Sequence, residues 1–463
     1  MKSSGFKWAV RHGDLLIIKQ LLDYGGDITS LESGYPLLLA IKKGDVEVLK
    51  FLLTNASKNY MKRALAQPID AKKTTVLHWA ISLADVPCVK VLLEESVDVG
   101  ITNQDLYRPL DYLFKRTRTG LFDHYAEIIR LFLDIHPAEV FKPLHGESPW
   151  DHPGRKTPLI LAVRQRSLKL VNIIIKASLL LNKYRTSEFI NEDGGYGAAA
   201  LSFVCDASKW PCDQNGRDQV LAIAKTLLLH GADVNKEISS NGQRIYLPIY
   251  RSCFRPPSID HPRQILNTIR LQHDIISLLI DNGADVKIRE NFQGSSDYRF
   301  PCIRFLDTTE YYSIYVLDSG KLYLEPEDIL QDTHTTLRFE EDAPNTMSPS
   351  YTLNAWSGEL ESEEEEKEEI LRLLQATFKK LLKNMEVNDF SRYCGGNEIT
   401  LLHRASVIPG IFGVHATQIL LEKGAKIHEQ DTYSRTPLEH AVEKNMNTIS
   451  IPCYDAGRES KSG

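Results

Sequence analysis

The chain has 463 residues, 42% of them hydrophobic and 25% charged, with a formal net charge of −6. This is the composition of a folded protein. Its charge is too small to imply a nucleic-acid binder, and no run reaches the roughly 18 apolar residues of a membrane span. Residues 1–190 hold 27 Lys and Arg against 20 Asp and Glu, a net of +7, so the remainder carries −13. Seven cysteines stand singly and without paired spacing, as in a reducing compartment. The N-terminus, MKSSGFKWAVRHGD, lacks an apolar core followed by a cleavage site, so a cytoplasmic or nuclear location is expected. The length suits either several ordinary domains or one elongated repeat array.

Taken in chain order, one pattern recurs. An apolar run closes on Ala9, and LLDYGGDI follows at 21–28. A second run closes on Ala40, a third, TVLHWA, spans 75–80, and a fourth is centred on Leu113. TPLILA stands at 157–162, LLLHGADVN at 227–235 and LLIDNGADVK at 278–287. TLLHRA at 400–405, LLEKGAKI at 420–427 and TPLEHA at 436–441 close the series. Each turn segment predicts an inner helix: Thr caps it and Pro fits its first turn. The small residue (Ala9, Ala40, Ala80, Ala162, Ala405, Ala441) lets neighbouring helices approach. Each Leu-rich segment predicts an outer helix ended by a left-handed glycine, at Gly25, Gly231, Gly283 and Gly424. One such pair cannot bury its apolar side alone, so stacked pairs must share a core.

Spacing locates the interruptions. Ala9 to Ala40 is 31 residues and Ala80 to Leu113 is 33, but Leu113 to Ala162 is 49. Extended loops are predicted near 137–154, 205–217 and 255–263, where Pro, Asp and Ser gather. The largest interruption is 307–360. Within it, YYSIYVLDSGKLYLEP places aromatic and β-branched runs on both sides of Asp318-Ser319-Gly320, predicting a β-hairpin at 311–324. The polar stretch 331–358 is expected to be flexible. Glu359–Glu369 then holds eight Glu in 11 residues before ILRLLQATFKKLLKN, an acidic start and basic end that suit a helix dipole. The following LLKNMEVN, at 381–388, reads as a degenerate Gly-Ala-Asp-Val-Asn ending.

These linked half-motifs resemble the ankyrin repeat, whose signature is T-P-L-H-x-A followed by a Leu-rich helix and a Gly-Ala-Asp turn. The resemblance runs from Phe6 to Asn445 outside the long insertion, in ten full or partial copies. It is to divergent, insertion-bearing arrays of the kind common in filamentous fungi. It implies an all-α ankyrin-repeat solenoid of paired antiparallel helices with a β-hairpin-bearing insertion. The expected organisation is ankyrin repeats over 1–306, the insertion over 307–360, resumed repeats over 361–445 and a degenerate tail over 446–463. The first copy starts inside its inner helix and the last one fades, so a trimmed chain or a further upstream segment is expected. The resemblance also implies that His78 and His403 are structural, bonding backbone groups at the turn; Glu439 fills that slot in the last copy.

No phosphate loop, G-x-G-x-x-G, H-E-x-x-H, C-x-x-C or G-x-S-x-G occurs in the sequence. Cys205 and Cys212 lack two further ligands nearby for a metal. No catalytic residue, cofactor or metal site is therefore expected.

In ankyrin arrays the partner usually meets the hairpin tips and the exposed inner-helix ends. Here those ends carry Arg11-His12, Lys42-Lys43, Ser82-Leu83, Lys115-Arg116 and Arg164-Gln165, then Glu443-Lys444. The tips add Tyr107, Arg155, Lys156, Tyr433 and Arg435, which include types enriched at interfaces. A basic stripe on the concave face is expected, favouring a protein partner with an acidic surface. The alternative is that these cations serve only solubility. Nucleic acid is not expected, because the stripe lacks interleaved aromatics and the whole chain is acidic. A membrane partner is not expected either, and the chain is expected to be a monomer. The expected function is a non-enzymatic protein–protein interaction scaffold or adaptor. Three alternatives stand: a substrate-recruiting adaptor of a larger complex such as a ubiquitin ligase, an enzyme with its site in the 307–360 insertion, and self-association for assembly.

Overall fold

The computed structural model describes residues 2–25, 36–55, 58–95, 97–115, 121–142, 157–180, 186–192, 199–205, 213–236, 247–253, 262–288, 290–291, 298–312, 360–392 and 397–443. The chain divides into two units, Met1–Tyr196 and Gly197–Gly463. The charge changes sign with them: residues up to Tyr196 carry +5 and the rest −11.

In the first unit, inner helices α1 (Lys2–His12), α3 (Pro36–Lys43), α6 (Val76–Ser82), α8 (Pro109–Lys115) and α11 (Pro158–Arg164) alternate with outer helices. The outer helices are α2 (Leu15–Asp23), α4 (Val46–Asn55), α7 (Val86–Glu94), α9 (Phe122–Ile135) and α12 (Leu168–Leu180). Short helices α5 (Lys58–Ala66), α10 (Pro137–Val140) and α13 (Thr186–Ile190) lie in the connections. The inner row packs α1 on α3, α3 on α6 and α6 on α8; the outer row runs α2, α4, α7, α9, α12.

One alanine per inner helix explains the close row. Ala9, Ala40, Ala80 and Ala162 are fully buried, and anything larger would push neighbouring backbones apart. Five residues after each alanine a capping residue begins the outer helix. Its N–H donates back to the alanine carbonyl: Asp14 to Ala9 at 3.1 Å, Asp45 to Ala40 at 3.0 Å, Asp85 to Ala80 at 3.1 Å and Ser167 to Ala162 at 3.2 Å. Its side chain accepts from the helix's first turn, at 3.0 to 3.3 Å. The residue just before the cap is left-handed each time: Gly13, Gly44, Ala84 and Arg166. This second turn was not part of the sequence expectation, which placed left-handed glycines only at the outer-helix ends. Those four, Gly25, Gly231, Gly283 and Gly424, do have positive φ.

In the second unit the inner helices are α14 (Ala200–Val204), α16 (Pro248–Ser252), α18 (Pro301–Tyr312), α20 (Leu401–Ala405) and α22 (Pro437–Glu443). Their outer counterparts are α15 (Gln214–Leu229), α17 (Pro262–Asp281), α19 (Leu360–Leu381) and α21 (Gly410–Glu422). Each row packs in that order. Phe378 of α19 sits between Phe305 of α18 and Phe412 of α21, with both ring centroids at 6.4 Å.

The long insertion is placed differently from the expectation. Helix α18 runs across the expected boundary at 307 and pairs with α19, which begins at Leu360. The interruption thus lies inside one repeat, between its two helices, and not between repeats. Tyr311 and Tyr312 end α18 and do not open a hairpin. Their neighbours Thr308 and Thr309, strand-like by type, satisfy their hydroxyls on carbonyls: Thr308 on Cys253, just past α16, at 2.6 Å, with Arg304 of its own helix at 3.1 Å, and Thr309 on Leu306 at 2.9 Å. The buried face of Cys302, Ile303, Phe305 and Leu306 holds the segment helical. The rest of the predicted hairpin, 313–324, lies outside the described residues, as does 331–358.

The described strands lie at repeat junctions. β1 (Glu290–Asn291), β2 (Tyr298–Arg299), β3 (Ser391–Arg392) and β4 (Glu398–Ile399) form an antiparallel sheet in that order, with Tyr298 opposite Arg392. Part of each expected loop is helical: α10 occupies Pro137–Val140, and residues 214–217 and 262–263 belong to α15 and α17. Residues 143–156, 206–212, 254–261 and the tail from 444 lie outside the described residues.

Candidate functional site

Two Thr-x-x-His turns tie repeats together. The Thr75 N–H donates to His78 Nδ1 at 3.1 Å, and His78 Nε2 meets the Tyr107 carbonyl, 29 positions on, at 3.0 Å. His403 repeats the arrangement with Thr400 at 3.2 Å and the Arg435 carbonyl at 2.9 Å. Each ring is therefore neutral, with its proton on Nε2. Burial pushes the pKa of both imidazoles down, His403 to about 4. In the last repeat Glu439 does half of this work, accepting the Thr436 N–H at 2.6 Å. These histidines bond backbone groups at the turn, as the resemblance implied. Tyr107 belongs to the same turn: its carbonyl takes the His78 ring, and its own ring lies edge-on to Tyr112 at 6.3 Å.

Inner-helix ends of the first unit carry the expected cations. Arg11, His12, Lys42, Lys43 and Arg164 are all exposed. Lys43 is held by Asp45 at 3.0 Å. Arg11, Lys42 and Arg164 make no salt bridge among the described residues. The Lys115 side chain, Arg116, Arg155 and Lys156 lie outside the described residues.

Aromatic rings stand among these cations, contrary to the expectation. Trp8 is 51% exposed and lies against His12 with ring centroids 4.3 Å apart. The Lys42 ammonium sits 4.5 Å from the centre of the Trp79 ring. The expected cations follow the small residue, whereas these rings stand immediately before it. Leu39 and Leu161 hold that same position in α3 and α11 and are half-buried.

The second unit carries its cations at other positions of the repeat, and they are neutralised internally. Arg404, just before Ala405, bonds Asp307 at 2.6 Å and Glu310 at 2.5 Å. Arg435 bonds Asp431 at 2.9 Å and Glu443 at 2.9 Å, and its guanidinium lies 5.2 Å from the Tyr433 ring. Burial raises the Asp431 carboxyl. Bonds from the Arg435 N–H, His440 and the Arg435 guanidinium more than offset that and hold it well below the usual carboxylate range. Arg435 is therefore held within the hairpin tip, and Tyr433 beside it is 61% exposed.

Burial raises the Cys88 thiol and pushes that of Cys302 up to about 12, so neither is activated. Among the described residues no group of three or more His, Cys, Asp or Glu side chains is placed to hold a metal ion, and no helix is long and apolar enough to cross a membrane.

Residues 6–103 match the family model described as ankyrin repeats (3 copies). No curated protein matches the chain. Among solved structures, the ankyrin repeat domain of Bcl-3, described as a unique member of the IkappaB protein family, is similar at 21% identity over 57% of this chain and 97% of that one, with a TM-score of 0.38. The human ASB11 ankyrin repeat domain shares 17% identity over 58% of this chain and 90% of that one, with a TM-score of 0.34. One chain of the complex between the predatory endopeptidase Bd0816 from Bdellovibrio bacteriovorus and immunity protein Bd3460 shares 21% identity over 44% of this chain and 84% of that one, with a TM-score of 0.31.

Proposed function

We propose that this chain, an ankyrin-repeat protein, is a non-enzymatic scaffold or adaptor that binds a protein on the inner-helix face of its first unit. The observation that carries this reading is the state of Arg11, Lys42 and Arg164. They are exposed at the ends of three inner helices and make no salt bridge among the described residues, whereas Arg404 and Arg435 of the second unit are paired. Unpaired cations on a rigid row raise the rate of encounter with an acidic surface and favour it over a basic one. A monomer in the cytoplasm or nucleus accords with this role.

The test is affinity purification with mass spectrometry, comparing the native chain with an Arg11→Glu, Lys42→Glu, Arg164→Glu triple variant. All three side chains are exposed, so the variant is expected to fold. Proteins captured by the native chain should be lost from the variant and return when the positive charges are restored. Recovery of the same set by both chains would overturn the reading.

A further inference from the structure

The same face says more about the partner than its charge. Trp8 of α1 and Trp79 of α6 occupy the same position in their repeats, immediately before the buried alanine, and Leu39 of α3 fills it between them. Helices α1, α3 and α6 pack in sequence, so these side chains form one apolar strip across three neighbouring helices. Arg11 and Lys42 lie one turn further along α1 and α3, giving the strip a cationic edge. Leu83, capping α6, is 37% exposed on the same edge. A half-exposed tryptophan one turn from an exposed arginine brings together two residue types enriched at the energetic centres of interfaces.

We infer that the first unit recognises an acidic peptide segment that also carries apolar anchor residues, laid across α1, α3 and α6. This rests on the proposed use of that face for protein binding. Carboxylates of the segment pair with Arg11 and Lys42, and its apolar side chains cover Trp8 and Leu39. Three helices at a spacing of about 10 Å span about 20 Å, which an extended segment crosses in roughly six residues. A purely acidic segment would leave Trp8 uncovered, and a purely apolar one would bury the cations without partners. Nucleic acid fits less well. The Trp79 ring has Lys42 against it and Trp8 lies against His12, so the two rings do not offer a pair of open stacking surfaces.

The experiment pans a phage-displayed library of random peptides on the full chain, with single-stranded oligothymidylate as a competitor. Enriched peptides are then measured against Trp8→Ala, Lys42→Gln and Arg11→Glu chains whose thermal midpoints match the native one. The expected pool is acidic with interspersed apolar residues, and its affinity falls about ten-fold on Trp8→Ala and on Arg11→Glu. Should Trp8→Ala not fold, Lys42→Gln carries the test, because that side chain is exposed. The inference is overturned by a pool without acidic bias, by acidic peptides that bind Trp8→Ala as tightly as the native chain, or by no enrichment. Displacement of the peptides by oligothymidylate at similar concentration would also overturn it, in favour of nucleic acid. Loss of protein capture by the triple variant alongside an unbiased pool would leave the general reading standing and sink only this one.

Discussion

Lys42 holds its ammonium 4.5 Å from the centre of the Trp79 ring, so that one contact joins two neighbouring inner helices, α3 and α6. The contact belongs both to the stack and to its surface. Trp79 is further fixed by its indole N–H, which donates to the Thr74 hydroxyl at 3.0 Å. Lys42→Ala is expected to cost about 0.5 to 1 kcal/mol, the usual worth of an exposed cation–ring contact. Trp79→Ala should cost about 2 to 4 kcal/mol, since it removes packing and the indole's bond to Thr74, whose hydroxyl keeps Asp70 as acceptor. A double-mutant cycle in urea should then show coupling between the two; strictly additive losses would mean that the contact is absent in solution.

The Thr-x-x-His turns make stability depend on pH. Burial pushes His403 down to about 4, below its ordinary value of 6.5, and lowers His78 as well. The unfolded chain therefore binds more protons than the folded one between pH 6.5 and about 4. The turn's contribution is complete above pH 6.5 and is lost as pH falls through that window. For His403 the loss approaches about 3 kcal/mol near pH 4. In His403→Gln the amide oxygen can still accept the Thr400 N–H, so the variant should lose about 1 kcal/mol at neutral pH. It should also show a flatter decline in acid; chemical denaturation from pH 7 to 4 measures both, and an equally steep decline would exclude His403 as the source.

Close approach of the inner helices depends on their alanines. Ala80 has no exposed surface and lies between rows that are already in contact. Ala80→Leu should destabilise the first unit by about 1 to 3 kcal/mol or more through overpacking, whereas Ala80→Gly should cost about 1 kcal/mol through helix propensity and a lost methyl. Thermal melts followed by circular dichroism rank the two, and the larger residue should melt first.

Arg435 was expected to contact a partner, and its geometry predicts another phenotype. Arg435→Ala removes the guanidinium from buried Asp431, which is left with His440 and backbone donors. A loss of about 1 to 3 kcal/mol is expected in the second unit, with partner capture unchanged. Reduced capture at full stability would return Arg435 to the binding surface.

Much of the fold was legible because its determinants are local. A capping Thr, a Pro in the first turn, an alanine at a fixed place and a terminal glycine each act within a few residues, and they placed the helix pairs near Ala80, Ala162 and Ala405. The Asn of LLKNMEVN was also read correctly: Asn388 donates to the Gly424 carbonyl at 3.2 Å, as Asn235 does to Gly283 at 3.0 Å. The surface was less legible. Lysine and arginine at helix ends looked alike along the sequence, but Arg404 finds Asp307 97 positions away while Lys42 faces a ring.

The sequence by itself determined the repeat and its caps, because hydrogen bonds within a turn follow from residue type and spacing. Only the tertiary structure decided that the long insertion divides a repeat between α18 and α19. It also decided which cations are neutralised and which rings stand among them. Those outcomes depend on contacts between residues tens of positions apart, which exist only once the helices have stacked.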